Sequence, residues 1–293
     1  MSHQSCLEQP VLEHVIKPVS SDTLQDSSQS PNTDSNKFVT TVECLGNFCI
    51  RQIEALKKFV HLFWLMLVAT FRPPFRFRQL LIAMEFVGFG SMFIILLAGF
   101  SCGAILAYQC AYAFGIFGAE AMTGATVALA LCRELGPVLT AIMVAGRASS
   151  GMATVIGTMR VTEQIDAMKT MAVDPVQYLI VPRVWGTVLM MPVLTAVMDF
   201  IGIIAAYVIG VMLSGVDFGA FEAMIDGMLR PFDVYGGLIK AAFFGILVSF
   251  IGCYKGYYAD GGAKGVGEAT TDAVVYASIS VLILDYFLTM ILW

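Results

Sequence analysis

Residues Leu131 to Arg183 decide the fold, and they read LCRELGPVLTAIMVAGRASSGMATVIGTMRVTEQIDAMKTMAVDPVQYLIVPR. The stretch begins as an apolar helix that carries an adjacent Arg133–Glu134 pair. It then passes into a polar segment at about 160–176 and returns to apolar sequence. A charge at the bilayer centre costs about 2.5–3.5 kcal/mol on insertion scales, so such residues usually face the interior of a helix bundle or a water-filled cavity. The pattern predicts two membrane-spanning helices joined by a polar elbow.

The composition of the whole chain is that of an integral membrane protein. Of its 293 residues 58% are hydrophobic and 13% are charged, and the mean hydropathy is +0.78. Soluble domains are about 45–50% apolar and about 25% charged. We therefore predict an all-α integral membrane protein. The net charge of −5 says little about partners, and nucleic acid is not expected to be one. The three histidines all precede the apolar region, so no histidine metal site is expected within the bilayer.

Three regions follow one another along the chain. Residues 1–37 are rich in Ser, Gln, Asp and Pro and are expected to form a disordered cytoplasmic tail. Residues 38–85 are expected to form an interfacial amphipathic helix and a basic elbow, although a helix packed on protein is the alternative. Residues 86–293 are expected to form the transmembrane domain. Its five predicted spans lie at about 86–114, 125–152, 178–213, 237–254 and 273–293.

The connections between the spans set the expected orientation. Those on the N-terminal side carry most of the cations, whereas the opposite connections carry Arg230 alone. The cations on the N-terminal side are Arg72, Arg76, Arg78, Arg160, Lys169, Arg183, Lys255 and Lys264. Because basic residues concentrate in cytoplasmic loops, we expect a cytoplasmic N-terminus and a periplasmic C-terminus. Residues 214–235 and the glycine-rich 255–268 are both expected to be loops, the second one flexible.

Arg133 and Glu134 are the first candidate site. Neighbours in a helix point about 100° apart, so the two side chains cannot lie on one face. Pro137 follows them and can leave a backbone carbonyl free. The pair is interpreted either as the lining of a central cavity or as ion pairs to other helices. Asp199 and Asp285 are similar lone acids, for which a packing role is favoured.

The polar elbow is the second candidate site. Thr162 is expected to cap a short helix that ends before Asp174 and Pro175. Its apolar stripe is predicted at Ile165, Met168 and Ala172, and its polar face at Glu163, Gln164, Asp166, Lys169 and Thr170. A short helix with an apolar ridge and charges suits a groove in a soluble partner. The alternative is a surface turn that lies on lipid headgroups.

The sequence has no phosphate-binding loop of the form GxxxxGK[ST], because the run GGAKGVG at 261–267 lacks that spacing. No nucleophile elbow and no HExxH motif is present either. We therefore expect a chain that is not an enzyme by itself and binds no cofactor. The energy for any transport is expected from a partner ATPase or from an ion gradient.

Four segments resemble the permease subunits of the MlaE/YrbE family, the ABC permeases that work with MCE proteins. They are RELGPVLTAIMVAGR, GTMRVTEQIDAM, VDPVQYLIVPR and, in the last span, ATTDAVVYASISVLILDYFLT. The resemblance covers about residues 45–293. It implies a permease dimer in a bacterial inner membrane, two cytoplasmic ATPase subunits that bind the ATP, a periplasmic MCE ring and a possible STAS-domain protein. The implied substrate is phospholipid, moved between inner and outer membranes so that outer-membrane lipid asymmetry is maintained.

The resemblance also implies roles for residues of both candidate sites. Arg133, Glu134 and Pro137 would line the substrate cavity. The elbow would be the coupling helix that contacts the ATPase, through Arg160, Thr162, Glu163, Gln164, Asp166, Met168 and Lys169. The chain departs from the family pattern at Val155, Lys169, Glu268 and Asp272.

Two other functions remain open from the residues alone. The first is an ion-coupled secondary transporter that uses Glu134, Asp199 and Asp285 as a proton relay. The second is a membrane scaffold that anchors a peripheral complex.

Overall fold

The apolar runs form long helices in the computed structural model of the chain, which describes residues 53–73, 76–213 and 215–293. Helix α1 covers residues 53–70. Five further segments are long and apolar enough to cross a membrane, and no strand occurs among the described residues. They are α2 (Phe77–Gly115), α3 (Glu120–Val161), α5 (Val176–Leu213), α7 (Pro231–Tyr257) and α8 (Gly262–Leu292). Two short helices complete the set, α4 (Gln164–Thr170) and α6 (Phe218–Met228). The predicted all-α membrane fold with five spans is confirmed.

Helices α2 and α5 pack closely because glycines face the contact. A side chain at Gly99 would meet the backbone carbonyl of Met198 at 2.9 Å. One at Gly103 would collide with the backbone carbonyl of Gly202. Small residues four apart let two backbones approach, which is how helices associate in a membrane without a hydrophobic driving force. Gly99 and Gly103 therefore allow the backbones of α2 and α5 to come into contact.

Helix α3 is continuous but changes its winding twice. Its α-helical parts are interrupted by π-helical turns at Leu131–Leu135 and Ala145–Ser149. A π turn inserts one extra residue into the helix and is frequent at functional sites. The first turn holds Arg133 and Glu134. The second holds Arg147, whose guanidinium donates to the carbonyl of Phe86 at 2.8 Å.

Helix α1 packs one face on the core and exposes another. Leu62 and Met66 are at most 4% exposed. The rings of Phe63 and of Phe250 in α7 pack in a T-shaped arrangement, with their centres 5.2 Å apart. Trp64 is 65% exposed on the other side. One face therefore packs on protein, as the alternative prediction has it, and the rest of the surface is free to contact a membrane interface. The predicted tail, 1–37, and the start of the predicted interfacial region lie outside the described residues.

Two predicted loops are wrong. Residues 218–228 form a helix, whose start is capped by Asp217 through a bond from the backbone N–H of Ala220, 2.9 Å long. The predicted flexible loop 255–268 is mostly helical, since α7 continues to Tyr257 and α8 begins at Gly262. A glycine inside a helix costs only about 1 kcal/mol. Packing of the buried Ala269, Ala273 and Ala277 face of α8 offsets that cost.

Several connections meet at one end of the bundle, which we call the elbow end. The amide of Gln177 donates to the carbonyl of Arg72 at 2.6 Å. The ammonium of Lys169 lies 5.9 Å from the ring centre of Tyr257. The segment before α2, helix α4 and the connection between α7 and α8 therefore lie together.

Candidate functional site

Five charged side chains from three spans form a charge cluster, defined as Arg133, Glu134, Asp233, Lys240 and Asp285. Helix α3 supplies the first two, α7 supplies Asp233 and Lys240, and α8 supplies Asp285. All are joined by ion pairs or by the peptide link between the first two. The cluster holds two cations and three carboxylates, so it attracts a further positive charge or a proton.

Lys240 is the centre of the cluster. Its side chain is fully buried, and its ammonium donates to Glu134 at 2.7 Å, Asp285 at 3.1 Å and the Thr289 hydroxyl at 2.7 Å. Burying a charge costs several kcal/mol unless it is paired and hydrogen-bonded. These contacts meet that requirement, and they fasten three helices to one another.

Arg133 reaches a different partner from its neighbour. One guanidinium nitrogen lies 2.7 Å from a carboxylate oxygen of Asp233, and the group lies 5.2 Å from the ring centre of Trp293. The Trp293 indole N–H also points to Asp233, at 3.4 Å. The expected divergence of Arg133 and Glu134 is thus observed. The side chains of both are 38% exposed, so each is ion-paired to another helix and also accessible.

Pro137 has the predicted local effect on the helix. It carries no N–H, so the carbonyl of Arg133, four residues earlier, lacks its usual helical donor. Lys240 donates to that carbonyl at 3.1 Å. A proline in α3 thereby creates an acceptor for a lysine of α7, and the backbone becomes part of the cluster.

Asp199 does not join the cluster. It is 6% exposed, and its Oδ1 has no hydrogen-bond partner among the described residues. It packs against Gly136 of α3, where any added side chain would collide with it. The structure therefore brings Glu134 and Asp285 together around Lys240 and leaves the third acid of the suggested proton relay apart from them.

Sequence reasoning missed Lys240 and Arg147. Each is a cation surrounded by apolar residues inside a span, and the available signal was the cost of leaving it unpaired in a membrane. An excess of intramembrane acids over recognised bases pointed to a missing cation. The identity of its partners depends on how α3, α7 and α8 pack, which no local pattern reports.

The elbow helix is shorter than predicted and starts differently. It covers Gln164–Thr170, and Glu163 stands at its N-cap with a left-handed φ of 58°. The predicted cap at Thr162 is wrong, because that hydroxyl donates back to the carbonyl of Thr158 at 2.8 Å. Threonine hydroxyls near a helix commonly make this bond to the preceding turn.

The predicted apolar ridge faces inward. Ile165 is fully buried and Met168 is 9% exposed, and both belong to the core of the protein. Ala172 is exposed with a left-handed φ of 59°, so its predicted place in the stripe is wrong. The stripe anchors the helix to its own bundle. The face left for a partner is polar.

Ion pairs organise that polar face. Asp166 accepts from Lys169 at 2.9 Å and from Arg160 at 2.9 Å. The hydrogen bond from Lys169, and then that from Arg160, lowers the pKa of Asp166 below its ordinary value, and the same contact raises the pKa of Lys169. The side chains of Asp166, Lys169 and Arg160 all remain exposed enough to meet a partner.

The five spans, the ion-paired charges between them and the polar elbow define the class of protein, a multi-pass α-helical membrane protein. A family model described as Permease MlaE matches residues 80–291. The chain belongs to the MlaE permease family.

Named relatives agree with this assignment. A probable ABC transporter permease protein of Rickettsia bellii is 41% identical over 245 residues, which are 84% of this chain and 95% of that protein. The intermembrane phospholipid transport system permease protein MlaE of Haemophilus influenzae is 38% identical over 257 residues, 87% of this chain and 98% of that protein. The chloroplastic protein TRIGALACTOSYLDIACYLGLYCEROL 1 of Arabidopsis thaliana is 36% identical over 212 residues, 72% of this chain and 61% of that protein.

Proposed function

We propose that the chain is the permease subunit of an ABC transporter that moves phospholipids between the inner and outer membranes of a bacterium and so maintains outer-membrane lipid asymmetry. Membership of the MlaE family carries the proposal. The name of the Haemophilus relative supplies the substrate class. The partly exposed charge cluster supplies a place where a lipid headgroup can be handled inside a membrane.

The substrate path runs past Arg133, Glu134 and Pro137 in this proposal. Both charged side chains are held by partners on α7 or α8 and keep 38% of their surface exposed. A fixed cation beside a fixed anion can contact the phosphate and the ammonium of a zwitterionic headgroup together. Pro137 contributes by placing Lys240 against the backbone of Arg133.

Helix α4 is the proposed contact with the ATPase. Its exposed polar residues include Gln164, Asp166 and Lys169, and Glu163 stands at its N-cap. Arg160 in the last turn of α3 and Thr162 just after α3 lie beside them. Met168 acts from inside, because it anchors the helix to the core. Force on α4 would reach the charge cluster along α3. The partner ATPase binds the ATP, and this chain contributes no catalytic residue and needs no cofactor.

The proposed assembly contains a second copy of the chain, two cytoplasmic ATPase subunits, a periplasmic MCE-domain protein and a STAS-domain protein. The proposed location is the bacterial inner membrane, with the N-terminus cytoplasmic and the C-terminus periplasmic. The basic residues at the elbow end support this orientation, because cations favour the cytoplasmic side.

Phospholipid transfer by the purified complex in liposomes tests the proposal. Glu134→Gln should reduce ATP-dependent transfer by about tenfold to about a hundredfold, the loss that corresponds to one charge-assisted contact worth about 1.5–3 kcal/mol, while the ATPase still co-purifies. Glu222→Gln removes an exposed acid of α6 and is the matched control. Transfer that survives ATP depletion and stops with an uncoupler would instead identify an ion-coupled transporter. Unchanged lipid transfer in the Glu134 variant would leave only a scaffold role for the cluster.

A further inference from the structure

Two neighbouring grooves open at the elbow end, on either side of the start of α5. The first is a cavity of about 240 Å³ between α2, α3 and α5. The second is a cavity of about 200 Å³ between α2, α5 and the segment that follows α1. Pro182 lines both, so the two grooves form a pair separated by a single turn of helix. We call them the paired grooves.

The lining of the paired grooves is apolar with cations and without acids. Ile82 and Val155 represent the apolar wall of the first groove, and Leu80 and Trp185 that of the second. Neither groove is lined by Asp or Glu. The cations that line them are Arg183 in the first groove and Arg72 and Arg76 in the second. This chemistry fits an anionic group attached to apolar chains.

The cations are held in place without being neutralised. Arg183 donates to the carbonyl of Leu179 at 2.7 Å, and Arg76 lies 4.6 Å from the ring centre of Tyr178. Neither makes an ion pair with a carboxylate in the described part of the chain. Tyr178 also lines the first groove beside Arg183. Tyr178 therefore connects the two grooves, because it lines the first one beside Arg183 and carries the Arg76 guanidinium of the second one on its ring.

Gln79 adds a hydrogen-bond acceptor to the lining of the first groove. Its side-chain oxygen is buried and has no donor among residues 53–73, 76–213 and 215–293. It lines the first groove together with Arg183. A buried acceptor without a partner costs about 1–3 kcal/mol. A ligand that carries a hydroxyl next to its phosphate would satisfy the acceptor and the cations together.

We propose that the paired grooves bind one anionic phospholipid drawn from the leaflet at the elbow end. Its phosphate lies against Arg76 and Arg183, a headgroup hydroxyl donates to Gln79, and one acyl chain follows each groove. Basic pockets between membrane helices are known to hold anionic headgroups. The site is distinct from the charge cluster, and the bound lipid joins the start of α2 to the start of α5 beside the elbow helix.

Photo-crosslinking followed by peptide mapping tests whether the lipid binds in the paired grooves. The purified protein is placed in nanodiscs that contain either diazirine-labelled phosphatidylglycerol or diazirine-labelled phosphatidylcholine with the same acyl chains. Each arginine near an anionic surface contributes about 1 kcal/mol, or about fivefold. We expect phosphatidylglycerol to label residues 77–86 and 178–185 at least about fivefold more than phosphatidylcholine does.

Variants distinguish binding in the paired grooves from a general attraction of anionic lipid to basic side chains. Arg76→Gln with Arg183→Gln should bring the two labels to parity. Lys264→Gln, which removes an exposed cation of α8 at the same end, should leave the preference intact. Glycerol 3-phosphate should not compete, because it has no acyl chains to fill the grooves. Competition by this soluble phosphate at equal concentration would mean an anion site rather than a lipid site.

Three further results would overturn the proposal. One is equal labelling by the two lipids in the unmodified protein, and another is a preference that persists in the double variant. The third is disulfide-linked dimerisation of Val155→Cys with no lipid label, which would assign the first groove to a second copy of the chain. The binding measurement needs neither ATP nor transport, so it can fail while the proposed function stands.

Discussion

The ammonium of Lys240 in α7 lies 2.7 Å from a carboxylate oxygen of Glu134 in α3, and the lysine side chain has no exposed surface. A second carboxylate, that of Asp285 in α8, lies 3.1 Å from the same nitrogen. Three spans thus share one buried cation. The contact fixes the packing around the candidate lipid path, and it makes the lysine hard to replace.

Replacing Lys240 by Met should destabilise the protein by about 3–5 kcal/mol, the usual cost of removing one partner of a buried ion pair. Glu134 and Asp285 would face each other with no cation between them. Thermal unfolding in detergent measures the effect. Adding Glu134→Gln should restore part of the loss, because one unpaired charge is removed. Lys264→Met, at a side chain 90% exposed, is the control and should change stability by less than about 0.5 kcal/mol.

Reversing Asp166 to Lys should weaken the ATPase contact without unfolding the chain. Three cations would then meet where Arg160 and Lys169 now hold one acid, each at 2.9 Å. The measurement is the amount of ATPase that co-purifies, together with lipid-stimulated ATP hydrolysis. Asp226→Lys reverses an exposed acid of α6 and should leave both unchanged. Normal hydrolysis and recovery in the Asp166 variant would remove this face from the coupling surface.

Ala172→Gly should stabilise the elbow by about 1 kcal/mol, because a left-handed backbone costs a non-glycine residue about 1–2 kcal/mol. The residue has a φ of 59° just after α4. The N–H of Val173 bonds the carbonyl of Met168 at 2.9 Å and the N–H of Ala172 bonds that of Lys169 at 3.0 Å, the helix ending in which glycine is usual. The measurement is thermal unfolding, in which the variant should have a higher melting temperature than the unmodified protein. A lower melting temperature would contradict the left-handed backbone at residue 172.

Gly103→Ala should destabilise the pairing of α2 with α5 by about 1–3 kcal/mol, the cost of overpacking a tight contact. The added methyl group would collide with the carbonyl of Gly202, and backbone cannot move as a flexible side chain can. Gly227→Ala is the matched control, because nothing lies within 4 Å of the added atom. There the change should be neutral or stabilising by up to about 1 kcal/mol. Equal effects on thermal unfolding at both sites would argue against a close contact at Gly103.

The length of the apolar runs and the spacing of small residues predict most of the fold. Five apolar runs and two spaced glycines are enough for the spans and for one helix contact, because a bilayer demands helices of set length with small residues where backbones touch. Short connections are predicted less well. Glycines at 261–267 indicate a loop locally, yet alanines further along α8 hold those residues in a helix by packing.

The two candidate sites were predictable to different degrees. The charges Arg133 and Glu134 stand out in any apolar helix, so their importance is visible from the sequence. Their partners Asp233 and Lys240 lie about 100 residues away, and only the packing of α3 on α7 brings them together. The prediction for the elbow failed in a different way, because a visible pattern was assigned to the wrong contact. Ile165 and Met168 have the spacing of an apolar ridge, but periodicity does not say whether such a ridge meets a partner or the protein's own core.

The bond from Lys240 to the carbonyl of Arg133 constrains how this chain can change over evolutionary time. Pro137 creates the free acceptor, Lys240 occupies it, and Glu134 and Asp285 neutralise the lysine. Replacing Lys240 alone leaves Glu134, Asp285 and the carbonyl without their shared donor, and replacing either acid alone weakens the neutralisation of the buried lysine. Descendants of this chain should therefore keep these positions together or exchange them together, and an intermediate that has lost only one of them should be rare.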